Sequence, residues 1–244
     1  MIELSVALPL YNSGKIAWLA LESLCNQKEI DFEWELIVCE EQHKNMLGGL
    51  ELMKQYGDRI KNIKYFPLNQ WISLGEKWKY IANNCDKNSK CFILQAADCY
   101  SQPYRLKSTY DAIVKNDFDW YKSNQGIFFN IKTKKCILYQ DLDNMQKGGL
   151  NMAMKTKDVI NKVPNEFRRA VVDGWLYNNI KPQKVFIDKS LNWLYGVDTH
   201  GYNQISIKRE KFFNNPNFPF IETKLTLKSL PINIIERLKN LENL

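Results

Sequence analysis

The sequence predicts an α/β fold: a mainly parallel sheet flanked by helices, followed by a smaller antiparallel C-terminal extension. Three observations carry this. Apolar strands alternate with amphipathic helices between Leu4 and Leu94, the pattern of βαβ units. The strands read as continuous apolar runs, as parallel strands covered on both faces do. After Phe118 the texture changes to short strands joined by turns.

Leu4 to Leu10 is the first strand, with no polar alternation after Ser5. Asn12 or Ser13 is placed to cap the next helix, whose Ile16, Leu19, Ala20 and Leu24 follow a 3.6-residue period. Leu36 to Cys39 is a second strand, ending in Glu40-Glu41. A short helix over Leu47 to Tyr56 and a strand over Ile63 to Phe66 follow. Trp78, Ile81, Ala82 and Cys85 mark one face of a further helix, and Cys91 to Leu94 is the next strand. Pro103 to Lys115 reads as a helix closing this half.

Beyond it, Trp120 to Lys122, Ile127 to Lys132 and Cys136 to Tyr139 are short strands, with a turn at Thr133-Lys134-Lys135. Gly148-Gly149 leads into another strand, and Asn165 to Asn179 is expected as a helix carrying Asp173. Val185 to Ile187 and Trp193 to Tyr195 are late strands. From Pro231 on, Ile234, Ile235, Leu238 and Leu241 give an amphipathic helix, placed to pack on its own domain or to lie on a partner or membrane surface. The expected division is one continuous domain over 1–210 and a tail over 211–244.

Composition bounds the function. Hydrophobic residues at 45% and aromatics at 13% are enough for a packed core and exclude a disordered chain. The net charge of +7 is spread without a long run of like charge. It suits phosphate-bearing ligands or work near anionic lipid rather than a nucleic-acid-binding arm. Six cysteines form no C-x-x-C pair and no zinc spacing, which fits a reducing cytoplasm. The start, Met1 to Leu4, lacks a basic n-region and reads as strand rather than signal peptide. No apolar stretch approaches the roughly 20 residues a membrane span needs. The expected location is therefore cytoplasmic, with peripheral membrane contact compatible.

The most telling segment is Gln95 to Leu106, QAADCYSQPYRL. An apolar strand runs through two alanines to an acidic residue, Asp98, and ligands of open α/β sheets bind outside the carboxyl ends of strands. A carboxylate there can hold a metal or a ribose, or simply cap a helix. Glu40 at the tip of the second strand can accept from a base N–H or a ribose hydroxyl, or be a solvated loop residue. Asp173 stands alone among Ala170, Val171, Val172, Trp175 and Leu176. Desolvation there would raise its pKa and make it a better base.

Taken together these segments resemble family 2 glycosyltransferases of the GT-A fold, whose core is a Rossmann-like sheet. SVALPLYNSGK resembles the family's opening strand ending in P-x-Y-N, at Pro9, Tyr11 and Asn12, which implies that these residues border the nucleotide. Cys39-Glu40-Glu41 stands where the family has paired aspartates, implying a nucleoside contact at Glu40. Ser73 to Lys77 resembles the G-x-K-R-N segment, implying that Lys77 meets the diphosphate or base.

Aligned on Pro103 and Arg105-Leu106, Asp98 matches the last aspartate of the D-x-D and Ala96 its first. The resemblance therefore keeps the aspartate that binds Mn²⁺ or Mg²⁺ and loses the one that contacts ribose. GGLNMAMK, with Gly149, resembles the stretch under the donor sugar, and Val172 to Leu176 resembles the E-D-x-x-L segment, implying Asp173 as catalytic base. Asp198 to Ser206 resembles the late R-x-H-G-x-N-x-x-S loop, implying His200 as a ligand of metal or diphosphate. Trp71, Trp175 and Trp193 are further candidates for stacking on a sugar face.

The resemblance implies a nucleotide-sugar donor, UDP-linked, a saccharide or other hydroxyl-bearing acceptor, and inversion at the anomeric carbon. Three other readings use the same residues. A nucleotidyltransferase would need a fuller glycine-rich basic loop than Asn12-Ser13-Gly14-Lys15. A catalytically degenerate nucleotide- or sugar-binding module is suggested by Ala96 and Cys99 and opposed by Asp173. A glycosyltransferase acting on modified bases in DNA would need a basic groove beside the donor site.

Overall fold

A computed structural model of the chain describes residues 1–14, 16–130, 136–140, 150–165, 172–189, 194–198, 220–223, 233–234 and 236–237. The first strand, β1 (Ile2–Leu10), lies parallel to β2 (Glu33–Glu41) and to β4 (Cys91–Leu94). It is covered on both faces, which is why its apolar run shows no alternation. Successive side chains still point to opposite sides. Leu4, Val6, Leu8 and Leu10 join the core around α1 (Trp18–Cys25), whereas Ala7 faces a second core with Ile37, Cys39, Trp78 and Phe92. Each fully buried leucine here stabilises the fold by about 1.5–3 kcal/mol.

With β3 (Ile63–Leu68), β6 (Trp120–Ser123), β9 (Leu150–Lys155) and β10 (Val185–Asp188), these strands form a seven-stranded sheet of order β10-β6-β9-β4-β1-β2-β3. Its one antiparallel member is β9, which pairs with β4 and β6. A five-stranded sheet, β12-β8-β7-β11-β5, is built from β5 (Cys99–Ser101), β7 (Gln125–Asn130), β8 (Cys136–Gln140), β11 (Leu194–Asp198) and β12 (Phe220–Thr223). This is the expected extension, but it is mixed: β7 and β11 run parallel while its other pairs are antiparallel. Helix α2 (Gly49–Tyr56) packs on β3. The short helical segment at 233–234 and 236–237 puts Ile234 in the core around α1, and the Arg237 guanidinium sits 4.1 Å from the Trp18 ring centroid.

Several elements depart from expectation for identifiable reasons. Ser13 does not cap α1: its hydroxyl donates to the Tyr11 carbonyl, and the helix starts later, after Ala17. The helix expected over Pro103 to Lys115 is α4 (Arg105–Tyr110), continued by one π turn over Asp111–Lys115. Asn165, the expected start of a helix, lies in a bend; the helix is described as α6 (Val172–Ile180), and α5 (Thr156–Lys162) precedes it. Helix α5 ends before Pro164, because the residue before a proline is driven out of the helical region, and Val163 is extended (φ −89°, ψ 120°). The sequence KTKDVINK has no apolar period, so α5 leaves no helical signature. Among the described residues no helix is long and apolar enough to cross a membrane.

Candidate active site

In the seven-stranded sheet the chain runs outward from β1 through β2 to β3, then returns to place β4 on the other side of β1. The crevice at the carboxyl ends of β1 and β4 is thus a topological switch point, where open α/β sheets bind ligands. A pocket of about 510 Å³ lies there. Pro9 and Tyr11 come from the end of β1, and Gln95 to Asp98 from the turn after β4. The loop after β3 supplies Trp71 and Ile72, and α3 (Leu74–Asn83) supplies Leu74, Lys77 and Trp78. Asn151 and Met152 on β9 and Asp173 on α6 complete the wall.

Local sequence explains how these groups are held. The start of α3 is fixed by a capping box: Glu76 N–H donates to the Ser73 hydroxyl (3.3 Å), and Ser73 N–H donates to the Glu76 carboxylate (2.6 Å). That fixes Lys77 one turn in. Asp98 is not at the tip of a strand, as expected, but in the turn between β4 and β5, half-buried and facing the pocket. Asp173 lies in the first turn of α6 and looks into the open pocket, so the residue is exposed to water. Protein atoms nonetheless crowd its carboxyl, and desolvation raises its pKa above the ordinary value, opposed by a weaker backbone hydrogen bond.

Of the residues singled out in the sequence, Pro9, Tyr11, Lys77, Ala96, Asp98 and Asp173 meet around this one pocket. Asn12 and Glu40 are not in its wall. Asn12 takes a left-handed conformation (φ 52°), and its side-chain oxygen accepts from Asn45. Glu40 is fully buried, and its carboxylate accepts from Leu47 N–H (2.8 Å), Gly48 N–H (3.0 Å) and the Tyr65 hydroxyl (2.8 Å). Glu40 therefore pins the 43–48 loop from beneath. That loop braces the β1–α1 turn: Gly14 N–H donates to Asn45 O at 2.9 Å, and a Cβ on Gly14 would come within 2.3 Å of the same oxygen. Gly149 and His200 lie outside the described residues, as does Trp193. Trp175 packs against the second core, whereas Trp71 stands at the pocket rim, 55% exposed.

Sequence reasoning overlooked Glu41. Strand alternation puts it on the face shared with Ile37 and Cys39, toward α3, and that was the available signal. Its carboxylate lies 2.8 Å from Lys77 Nζ and accepts from Ile72 N–H, and both side chains are buried. Lys77 Nζ also donates to Leu10 O (3.1 Å) and sits 5.4 Å from the Tyr11 ring centroid. The lysine expected to meet a diphosphate thus has its charge balanced within the protein. Lys77→Met would strand the buried Glu41 charge and is expected to cost about 3–5 kcal/mol, read by urea denaturation. A change within experimental error would show that water screens the pair.

Divalent-metal chemistry can be tested on the same residues. Among the described residues no group of three or more His, Cys, Asp or Glu gathers as a metal centre. Asp98 alone presents a carboxylate at the turn after β4. A single carboxylate fits a hard cation that keeps several waters and takes its remaining ligands from substrate phosphates.

The fold itself is one that glycosyltransferases use. Staphylococcus aureus TarS in complex with UDP-GlcNAc superposes with a TM-score of 0.66 at 14% identity, over 81% of this chain and 59% of that one. The mannosyltransferase PcManGT from Pyrobaculum calidifontis, in complex with GDP-Man and Mn²⁺, superposes with a TM-score of 0.60 at 9% identity, over 80% and 56%. In sequence, the chain is 27% identical over 142 residues to the uncharacterized glycosyltransferase MG060 of Mycoplasma genitalium, covering 54% of this chain and 46% of that protein. It therefore spans less than two thirds of the length of each of these proteins. No family model matches the chain.

Proposed function

We propose that this chain is a glycosyltransferase of the family 2 type, moving a sugar from a nucleotide-diphosphate donor, UDP-linked, to an acceptor hydroxyl with inversion. The observation that carries this reading is the convergence of Pro9, Tyr11, Ala96, Asp98 and Asp173 on one pocket at the switch point of the sheet. In the neighbours of the same fold the bound molecules are UDP-GlcNAc and GDP-Man with Mn²⁺. Residues 1–210 form the transferase domain on this reading, and 211–244 a tail.

Tyr11 and the loop braced by Glu40 border the nucleoside. Asp98, with His200 on the strength of the sequence resemblance, would hold Mn²⁺ or Mg²⁺, which supplies positive charge to the leaving diphosphate. Asp173 takes the proton of the acceptor hydroxyl as that oxygen bonds to the anomeric carbon and the bond to the diphosphate breaks. Its raised pKa improves it as a base and leaves it ionised once pH passes that value.

The test is thermal shift and calorimetry with UDP, GDP, UDP-GlcNAc and GDP-mannose, each with and without Mn²⁺. One nucleotide is expected to stabilise the protein, more strongly with the metal. Silence across the panel sinks the reading. A donor-binding module without transfer is a second reading, favoured by Ala96 standing exposed in the pocket wall where the ribose aspartate is lost. Binding without any sugar release would select it.

A further inference from the structure

We infer that Gln95 is a positioning residue that sets the turn carrying Asp98, acting through a buried link to Arg105. The inference rests on the donor-site reading of this pocket. Gln95 is almost fully buried, and its backbone N–H continues the sheet by donating to Ala7 O at 2.9 Å. Its side-chain oxygen accepts from the Ser101 hydroxyl (2.7 Å) and from the Arg105 guanidinium. Its amide nitrogen donates to Ala96 O (2.9 Å) and to Cys99 O (2.8 Å). One side chain therefore grips both ends of the turn, with Ala97 and Asp98 between them.

The orientation of the amide is dictated by its neighbours. One side offers the Arg105 guanidinium, which can only donate, beside the Ser101 hydroxyl, and the other side offers only carbonyl acceptors, so no flipped amide satisfies the four contacts. Arg105 is itself fully buried. Its guanidinium is anchored by Leu94 O and the Ser101 hydroxyl as well, and none of these three partners is a carboxylate. The acceptor half of Gln95 thus serves Arg105 and the fold. The donor half serves the turn, and so the place of Asp98 in the pocket.

Gln95→Glu separates the two halves. It keeps the acceptors for Arg105 and Ser101 while replacing the amide N–H groups with an oxygen that repels Ala96 O and Cys99 O. The expected result is a retained melting temperature, faster amide hydrogen exchange confined to 96–101, and Mn²⁺-dependent UDP or GDP binding weakened about 10–100-fold. Wild-type exchange in the turn, or wild-type metal-dependent affinity, overturns the inference. A wild-type protein that binds neither nucleotide overturns the donor-site reading and this inference with it, a signature distinct from an unaffected variant. Should Gln95→Glu fail to fold, the wild-type protein answers by NMR. Two dispersed, slowly exchanging Gln95 side-chain protons support the grip, and a solvent-averaged pair overturns it.

Discussion

Asp173→Asn is expected to lower turnover by about 10²–10⁴-fold, the range over which a positioned general base acts, while donor affinity stays unchanged. The asparagine keeps the size and the pocket wall but cannot take a proton. Measured with the nucleotide sugar selected by the binding panel, the loss should fall on kcat rather than on KM for donor. The wild-type rate should also carry an ascending limb with pH, because only the ionised carboxylate is a base. Desolvation raises this pKa, so the limb lies above the range of an ordinary aspartate, and Asp173→Asn removes it. Stability runs the other way. A carboxyl whose folded pKa is raised binds its proton more tightly in the native state, so its contribution falls as pH rises through that pKa. Near neutral pH the variant is therefore expected to be as stable as the wild type or more so. A variant equally active across pH would make Asp173 a mere helix-terminal residue.

The sheet was legible because burial on both faces leaves an unambiguous mark: LSVALPL and LIVC are apolar without alternation, and both are central strands. The pocket was legible in the segments that follow the central strands, where Pro9 and Tyr11 close β1 and Ala96 and Asp98 lie in the turn after β4. What escaped was determined by partners far along the chain. Glu40 and Glu41 are adjacent and chemically alike, yet strand alternation sends one under the 43–48 loop and the other against Lys77. The choice between them follows from which face α3 covers, a tertiary fact. Gln95 carried no signal at all. Its importance comes from a fully buried arginine ten positions on that needs an acceptor, and composition or periodicity does not show that need. Helix α5 was missed for a simpler reason: a short polar helix held by Val159 and a following proline has no apolar stripe to read.

Asp98→Asn is expected to abolish the extra affinity that Mn²⁺ gives a nucleotide diphosphate and to lower turnover by about 10²–10³-fold, the scale of losing one group that stabilises developing charge. Ala96 brings no charge to the pocket wall, and Lys77 is balanced by Glu41. The described wall therefore offers few charges to meet a diphosphate, and Asp98 is the carboxylate on that side of the pocket. A single carboxylate binds a hydrated cation weakly by itself, and the substrate phosphates must complete the shell. Metal and nucleotide should consequently bind cooperatively, each more weakly alone in calorimetry than together. Asparagine preserves the turn while removing the charge, so metal-free nucleotide binding should survive the substitution. Should Asp98→Asn keep the full Mn²⁺ effect, Asp98 is a turn residue and the cation is held by other groups, whereas a wild-type affinity that ignores Mn²⁺ altogether would mean that one carboxylate does not hold a metal in this pocket.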